Sequence, residues 1–194
     1  FDARDGCRCR SYFIVCESEE AIINTFFILS LPRSRTAWLA NLLTYDSSFC
    51  FHEALIGADP IDLPKLFSST GKPIVGNADC GNILFLDEIL AVFPETKLVI
   101  IERSITDVIA SLDKLGDAFS ERDSVYESQE LINYAKNNYD HLWVDYPRMN
   151  DESCQAIWEY CIGTPFDWQR WVMLNGLDIE MIPEMKINQL ELLH

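Results

Sequence analysis

The stretch Phe26-Phe27-Ile28-Leu29-Ser30-Leu31-Pro32-Arg33-Ser34-Arg35-Thr36-Ala37-Trp38-Leu39 decides how this chain is read. It opens as an apolar run of strand length and meets a proline. It then turns through arginines and hydroxyls into Trp38-Leu39-Ala40-Asn41-Leu42-Leu43, whose composition predicts a helix. A strand, a tight polar loop and a helix start in succession make an anion site. The first N–H groups of a helix have no partner within it, and the positive end of its dipole faces the loop. Arg33 and Arg35 add full charges beside those partial ones, so the stretch reads as a phosphate cradle.

Working outward, the flanking sequence alternates between strand and helix patterns. Phe49 to Leu55 is a short apolar run that contains the titratable pair His52 and Glu53. Residues 57–73 are rich in glycine and proline and predict a loop, with a turn of helix at 62–68. Pro73 to Asp79 reads as a strand with a polar tip, and the apolar spacing over 82–93 predicts an amphipathic helix. Lys97 to Glu102 is a continuous apolar run, the mark of a strand covered on both faces. Ser104-Ile105-Thr106-Asp107 has the spacing of a helix start, and Gly116 is expected to stop that helix. A charged, aperiodic segment over 117–126 predicts mobile surface and 127–139 a polar helix. Leu142 to Tyr146 reads as a last strand, followed by a helix over 152–162 that Asn150 or Asp151 caps and Gly163 ends.

The ends of the chain carry less information. Tyr12 to Cys16 predicts a short strand and Ser18 to Ile23 a helical turn, while the Trp-rich tail over 166–194 is ambiguous. The chain opens on Phe1, so residues 1–25 read as an N-terminal extension or the end of an upstream region. Residues 26–194 read as a single α/β domain. Strands alternating with helices predict a mainly parallel sheet flanked by helices. Ligands of such sheets sit beyond the carboxyl ends of the strands, which selects 32–37, 52–53, 76–81 and 103–111.

Composition narrows the function. With 48% apolar and 24% charged residues, the chain belongs to the ordinary globular class. A net charge of −16 argues against nucleic acid, polyanionic glycans or anionic membrane as partners. No apolar run approaches the ~18 residues that span a bilayer. The arginines at strand ends, Arg33, Arg35 and Arg103, stand out against this acidic background, whereas Arg4, Arg8 and Arg10 read as a solvated terminal face. Seven cysteines, an odd number with no C-x-x-C pair, point to buried thiols in a reduced, cytoplasmic setting. Cys154 and Cys161 share a helix face and read as core. His52, His141 and His194 are scattered, so no metal site is expected.

The loop lacks the G-x-x-x-x-G-K-[ST] pattern of nucleotide hydrolases. Pro32-Arg33-Ser34-Arg35-Thr36-Ala37-Trp38 instead resembles the 5′-phosphosulfate loop of the PAPS-dependent sulfotransferases, Pro-Lys/Arg-Ser-Gly-Thr-Thr-Trp. It departs from that pattern at Arg35, where the family has glycine, and at Ala37, which lacks a hydroxyl. Arg103 and Ser111 are similar to the arginine at a strand end and the later helix serine with which the family binds a 3′-phosphate. Softer likeness continues through Trp143-Val144-Asp145-Tyr146 to the stretch Ile162-Gly163-Thr164-Pro165-Phe166, so that the resemblance covers residues 26–172.

The resemblance implies a P-loop-like α/β sandwich, the donor 3′-phosphoadenosine-5′-phosphosulfate (PAPS, product PAP), and sulfuryl transfer to a hydroxyl or amine of a small-molecule or glycan acceptor. By it, Arg33, Ser34, Arg35, Thr36, Ala37, Trp38, Arg103 and Ser111 would bind the donor, with Arg33 stabilising charge on the leaving phosphate. Trp38 would stack on adenine, or else serve the core. Glu53-Ala54-Leu55 resembles a Glu-Pro-Leu-like segment, which makes Glu53 the first candidate for the general base and His52 the second. Both alternatively cap a strand, and Asp79 is a possible acceptor contact. Two alternatives stand beside this reading: a kinase on the same fold, and a nucleotide-binding module without turnover. The second follows if position 35 needs φ > 0, because an arginine there would obstruct the cradle.

Overall fold

A computed structural model describes residues 23–114 and 122–176. The expected strand at 12–16, most of the turn at 18–23, the Gly116 stop and the tail beyond 176 lie outside the described residues. Five strands, β1 (Asn24–Ser30), β2 (Ser48–His52), β3 (Ile74–Ala78), β4 (Lys97–Glu102) and β5 (Leu142–Asp145), form one sheet. Every pairing is parallel and the order is β2-β3-β1-β4-β5. Among the described residues seven α-helices connect and cover them: α1 (Thr36–Leu43), α2 (Leu63–Ser69), α3 (Leu86–Val92), α4 (Ile105–Asp113), α5 (Arg122–Asn138), α6 (Asp151–Ile162) and α7 (Trp168–Asn175).

The central strand explains the layering. Successive side chains of a strand point to opposite faces. Phe26 and Ile28 therefore enter one core with α1, α6 and α7, while Phe27 and Leu29 enter another with α2, α3, α4 and α5. Both faces being covered, the middle of β1 is an unbroken apolar run from Phe26 to Leu29, as in buried parallel strands. Phe26 lies against its register partner Gly76, where a Cβ would stand 2.2 Å from the Phe26 ring. Glycine is needed there for close approach. On the other face the rings of Phe27, Phe51 and Phe93 all stack against Phe67. Cys154 and Cys161 are buried free thiols on the α6 face of the first core. Burial pushes the Cys154 thiol up to about 11.

Several boundaries differ from the sequence reading. Of the segment 117–126, expected to be aperiodic surface, residues 117–121 lie outside the described residues, and Arg122 begins α5, in which Val125 continues into the buried stripe of Ile132 and Ala135. Residues 82–93 do not form one helix: a 3-10 turn over Cys80–Phe85 precedes α3. Its reason is Asn82, whose buried side chain bonds sideways to the sheet. Ser104 precedes α4 but its side chain makes no capping bond. Asn150 caps α6 by accepting from the Ser153 N–H at 3.1 Å, and Gly163 ends it at φ 76°. No helix among the described residues is long and apolar enough to cross a membrane.

The order of the strands places the site. The chain leaves β1 toward the β2 edge of the sheet and leaves β4 toward the β5 edge. Neighbouring connections that diverge open a crevice at the carboxyl ends of the strands, here between the loops after β1 and β4.

Candidate functional site

The loop between β1 and α1 has an unusual backbone. Arg33 and Arg35 adopt φ of 63° and 59°, and Arg35 is the residue from which α1 starts. Together with Glu53 at φ 60° they are the only non-glycine residues with positive φ among the described residues. All are candidate site residues read from the sequence. Backbone strain of this kind persists only where the surroundings impose it, and it gathers at functional sites. Alternating left-handed residues before a helix also turn successive N–H groups inward, forming a concavity that holds anions.

The cradle offers donors that the protein leaves open. No side chain caps α1, and no acidic residue sits in its first turn. Its first intrahelical bond runs from the Leu39 N–H to the Arg35 carbonyl at 3.0 Å, so the N–H groups of Thr36, Ala37 and Trp38 precede the ladder. The Ser34 hydroxyl is fully buried and has no hydrogen-bond partner among the described residues. A buried polar atom without a partner costs about 1–3 kcal/mol, which a bound ligand would relieve.

The structure brings the separate pieces of the expected site together. Arg33 Nε donates to Ser111 Oγ at 3.3 Å, joining the first loop to α4. Arg103, one residue beyond β4, donates through Nη1 to the Arg33 carbonyl and lies 4.2 Å from the centre of the Tyr146 ring. Its buried Nε has no hydrogen-bond partner among the described residues. Arg103 therefore pins the strained Arg33 peptide, while Tyr146 supports the guanidinium from below by a cation–π contact. Glu102, beside it, accepts from Lys136 Nζ at 2.7 Å and Trp143 Nε1 at 2.6 Å. These bonds hold its carboxyl below the usual range and fix the tip of β4.

Arg35 and Trp38 make a separate unit. The Arg35 guanidinium stands 4.5 Å from the Trp38 ring centre, folded along α1. Trp38 is 2% exposed and donates from Nε1 to the Leu174 carbonyl at 3.0 Å. The indole is thus part of the core and its reachable face carries the guanidinium. A base stacking on it would first have to displace Arg35.

On the β2 side, Thr36 Oγ1 and His52 Nε2 are 3.0 Å apart, and His52 Nδ1 stands 4.0 Å from Glu53 Oε1. Sequence reasoning placed these residues in two loops but did not see that they touch, because the contact depends on how β2 lies relative to α1. Asp79 is buried and accepts the Gly81 N–H at 2.8 Å. The neighbouring Cys80 thiol is pushed up to about 12 by burial and by the carboxylates of Asp79 and Glu53, so it stays protonated.

Asn77 and Asn82 escaped the sequence reading. Asn77 Nδ2 donates to Asn82 Oδ1 at 2.7 Å, and Asn82 Nδ2 donates to the carbonyls of Ile28 and Asn77. Asn77 Oδ1 accepts the Ala54 N–H at 3.2 Å, bracing the turn on which Glu53 sits. Both amides are fully buried. An asparagine in a strand of small and apolar residues, and another opening an apolar helix pattern, were the available signals.

The fold and crevice define an α/β protein with an open, arginine-flanked loop at the topological switch of a parallel sheet. No family model and no curated protein matches this chain.

Proposed function

We propose that the crevice binds PAPS and that the protein moves its sulfuryl group to a hydroxyl or amine of an acceptor. The observation that carries this reading is the convergence of Arg33, Ser111 and Arg103. The Arg33–Ser111 bond joins positions 78 residues apart, and the Arg103–Arg33 bond positions 70 apart. These are the residues that resembled the two phosphate-binding pieces of the sulfotransferases. A P-loop-like sandwich is the finer reading of the fold. It is supported by a cradle loop after the central strand and by an order unlike the dinucleotide (3-2-1-4-5-6) and flavodoxin-like (2-1-3-4-5) sheets.

PAPS supplies an activated sulfuryl group, whose bond to a 5′-phosphate oxygen breaks as the acceptor oxygen or nitrogen bonds to sulfur. The residues around it have separable tasks. Loop N–H groups and the Ser34 and Thr36 hydroxyls hold the 5′-phosphate, and Arg103 with Ser111 holds the 3′-phosphate. Arg33 neutralises charge that grows on the departing phosphate oxygen, which lowers the barrier because that charge is larger in the transition state than in the ground state. Glu53 takes the acceptor proton. A metal ion has no task in this scheme.

Arg35 in the position of the family's glycine favours a second reading, a nucleotide-binding module without turnover. The left-handed backbone is kept, at φ 59°, so the cradle retains its shape, and the guanidinium lies along Trp38.

Thermal unfolding with PAP, with AMP, and with ATP plus Mg²⁺ tests the site. PAP at ~100-fold its dissociation constant is expected to stabilise the fold by about 2.7 kcal/mol. Arg103→Ala should remove that gain. Protection by ATP–Mg²⁺ alone would overturn the proposal in favour of a kinase. Protection by PAP without sulfuryl transfer across an acceptor panel would establish the module.

A further inference from the structure

The contact between Thr36 and His52 gives the histidine a role other than that of general base. A hydroxyl and an imidazole nitrogen 3.0 Å apart share one proton, and either can be the donor. When the imidazole is neutral with its proton on Nδ1, toward Glu53 at 4.0 Å, Nε2 is an acceptor and takes the Thr36 O–H. The hydroxyl then turns only lone pairs toward the loop, which repels an anion. A neutral ring protonated on Nε2 alone would turn a bare Nδ1 lone pair toward the Glu53 carboxyl 4.0 Å away, so the donor state that suits these surroundings carries protons on both nitrogens. The imidazole then donates, the Thr36 O–H is released toward the loop, and a positive charge is added.

We infer that His52 is a positioning residue that sets the direction of the Thr36 hydroxyl, so that an anion enters the loop together with a proton on the imidazole. This deepens the reading of the loop as the donor's 5′-phosphate site and rests on it. Ring and hydroxyl are held in place independently of any ligand. His52 is 8% exposed at the end of β2, paired in register with Ala78 of β3, and Thr36 opens α1. Of the charged and titratable groups nearest in the fold, Glu53 Oε1 stands 4.0 Å from the ring, Asp79 and Cys80 follow β3, the strand with which His52 pairs, and Arg33 and Arg35 belong to the loop that carries Thr36. Carboxyl and guanidinium groups ordinarily titrate outside pH ~5.5–8, whereas imidazoles titrate within it. Cys80, at about 12, keeps its proton throughout. Anion affinity should therefore fall as pH rises through the imidazole range.

The experiment is calorimetric titration of the full chain with PAP and with inorganic sulfate, at several pH values and in two buffers of different ionisation enthalpy. PAP phosphates titrate near pH ~6 themselves. The informative quantity is therefore the difference between wild type and His52→Gln, and sulfate, which does not titrate in this range, is the second probe. Wild type is expected to take up a proton on binding and to weaken about tenfold between pH 6 and 8, a typical coupling. In His52→Gln an amide N–H replaces the imidazolium donor, and binding should persist with the extra proton uptake gone. Thr36→Ser should keep the coupling, and Thr36→Val should reduce it to the part carried by the imidazolium charge alone.

PAP binding with the same pH dependence in wild type and His52→Gln would overturn the inference and leave the donor site standing. Sulfate binding with proton uptake but no affinity for PAP would overturn the nucleotide reading and leave the coupling standing. Failure of both probes to bind at any pH would overturn both.

Discussion

The two ends of α1 are built by opposite rules. At the carboxyl end every orphan carbonyl has a partner. Ala40 O accepts the Thr44 N–H, Leu42 O accepts from Arg170 Nε at 3.1 Å, and Leu43 O accepts from the Ser48 hydroxyl at 2.7 Å. Arg170 Nη2 donates to the carbonyls of Asn41 and Thr44. At the amino end two arginines are left-handed, and among the described residues no side chain caps the helix and a buried serine hydroxyl has no partner. A helix of eight residues gains little from its own hydrogen bonds, so its ends matter. Completing one end while straining the other is economical only if something else completes the second. The difference is what places the proposed ligand at the amino end.

The comparison is broken most severely through Arg170. Arg170→Met leaves three carbonyls of the α1 end without their charged donor and is expected to cost about 3 kcal/mol in urea unfolding. The stabilisation by saturating PAP should survive, since the amino end is untouched. If PAP protection disappeared as well, the two ends would not be independent.

Ser48 and Ser34 form a matched pair, both fully buried, one bonded and one not. Ser48→Ala should lose about 1–2 kcal/mol of stability and leave PAP affinity unchanged. Ser34→Ala should be no less stable than wild type in the absence of ligand, and up to about 1–3 kcal/mol more stable, and bind PAP about fivefold to tenfold more weakly. Chemical denaturation and calorimetry measure the two quantities separately. Equal destabilisation by both substitutions would show that the amino end is satisfied without a ligand.

The smallest effect isolates the backbone at Arg35. Alanine keeps the left-handed strain and glycine removes it, and both delete the contact with Trp38. Arg35→Gly should therefore be more stable than Arg35→Ala by about 1 kcal/mol, read as a difference in denaturation midpoints at equal m-value. Equality of the two would mean that position 35 bears no strain.

Much of this was legible in the chain. The apolar runs of β1 and β4 and the Gly163 stop after α6 were read close to their observed bounds, because local pattern and burial agree there. The α5 start was misread because Val125 and Ser128 are buried among charged neighbours, a stripe too sparse to stand out. The 3-10 turn before α3 was missed because Asn82 serves the sheet rather than the helix. Of the site, the cradle and the arginine at the tip of β4 could be named from the sequence. The Thr36–His52 contact, the Tyr146 support and the Asn77–Asn82 brace could not.

The sequence by itself determined an α/β chain with an arginine-rich loop between a buried strand and a helix. Those features lie within a few residues, and hydrophobic period, proline and glycine report them directly. Only the tertiary structure decided that Arg33 meets Ser111 and Arg103, that Trp38 belongs to the core, and that His52 touches Thr36. Each of those contacts joins residues from different strand ends, and strand order, which sets their distances, is not written in any local stretch of sequence.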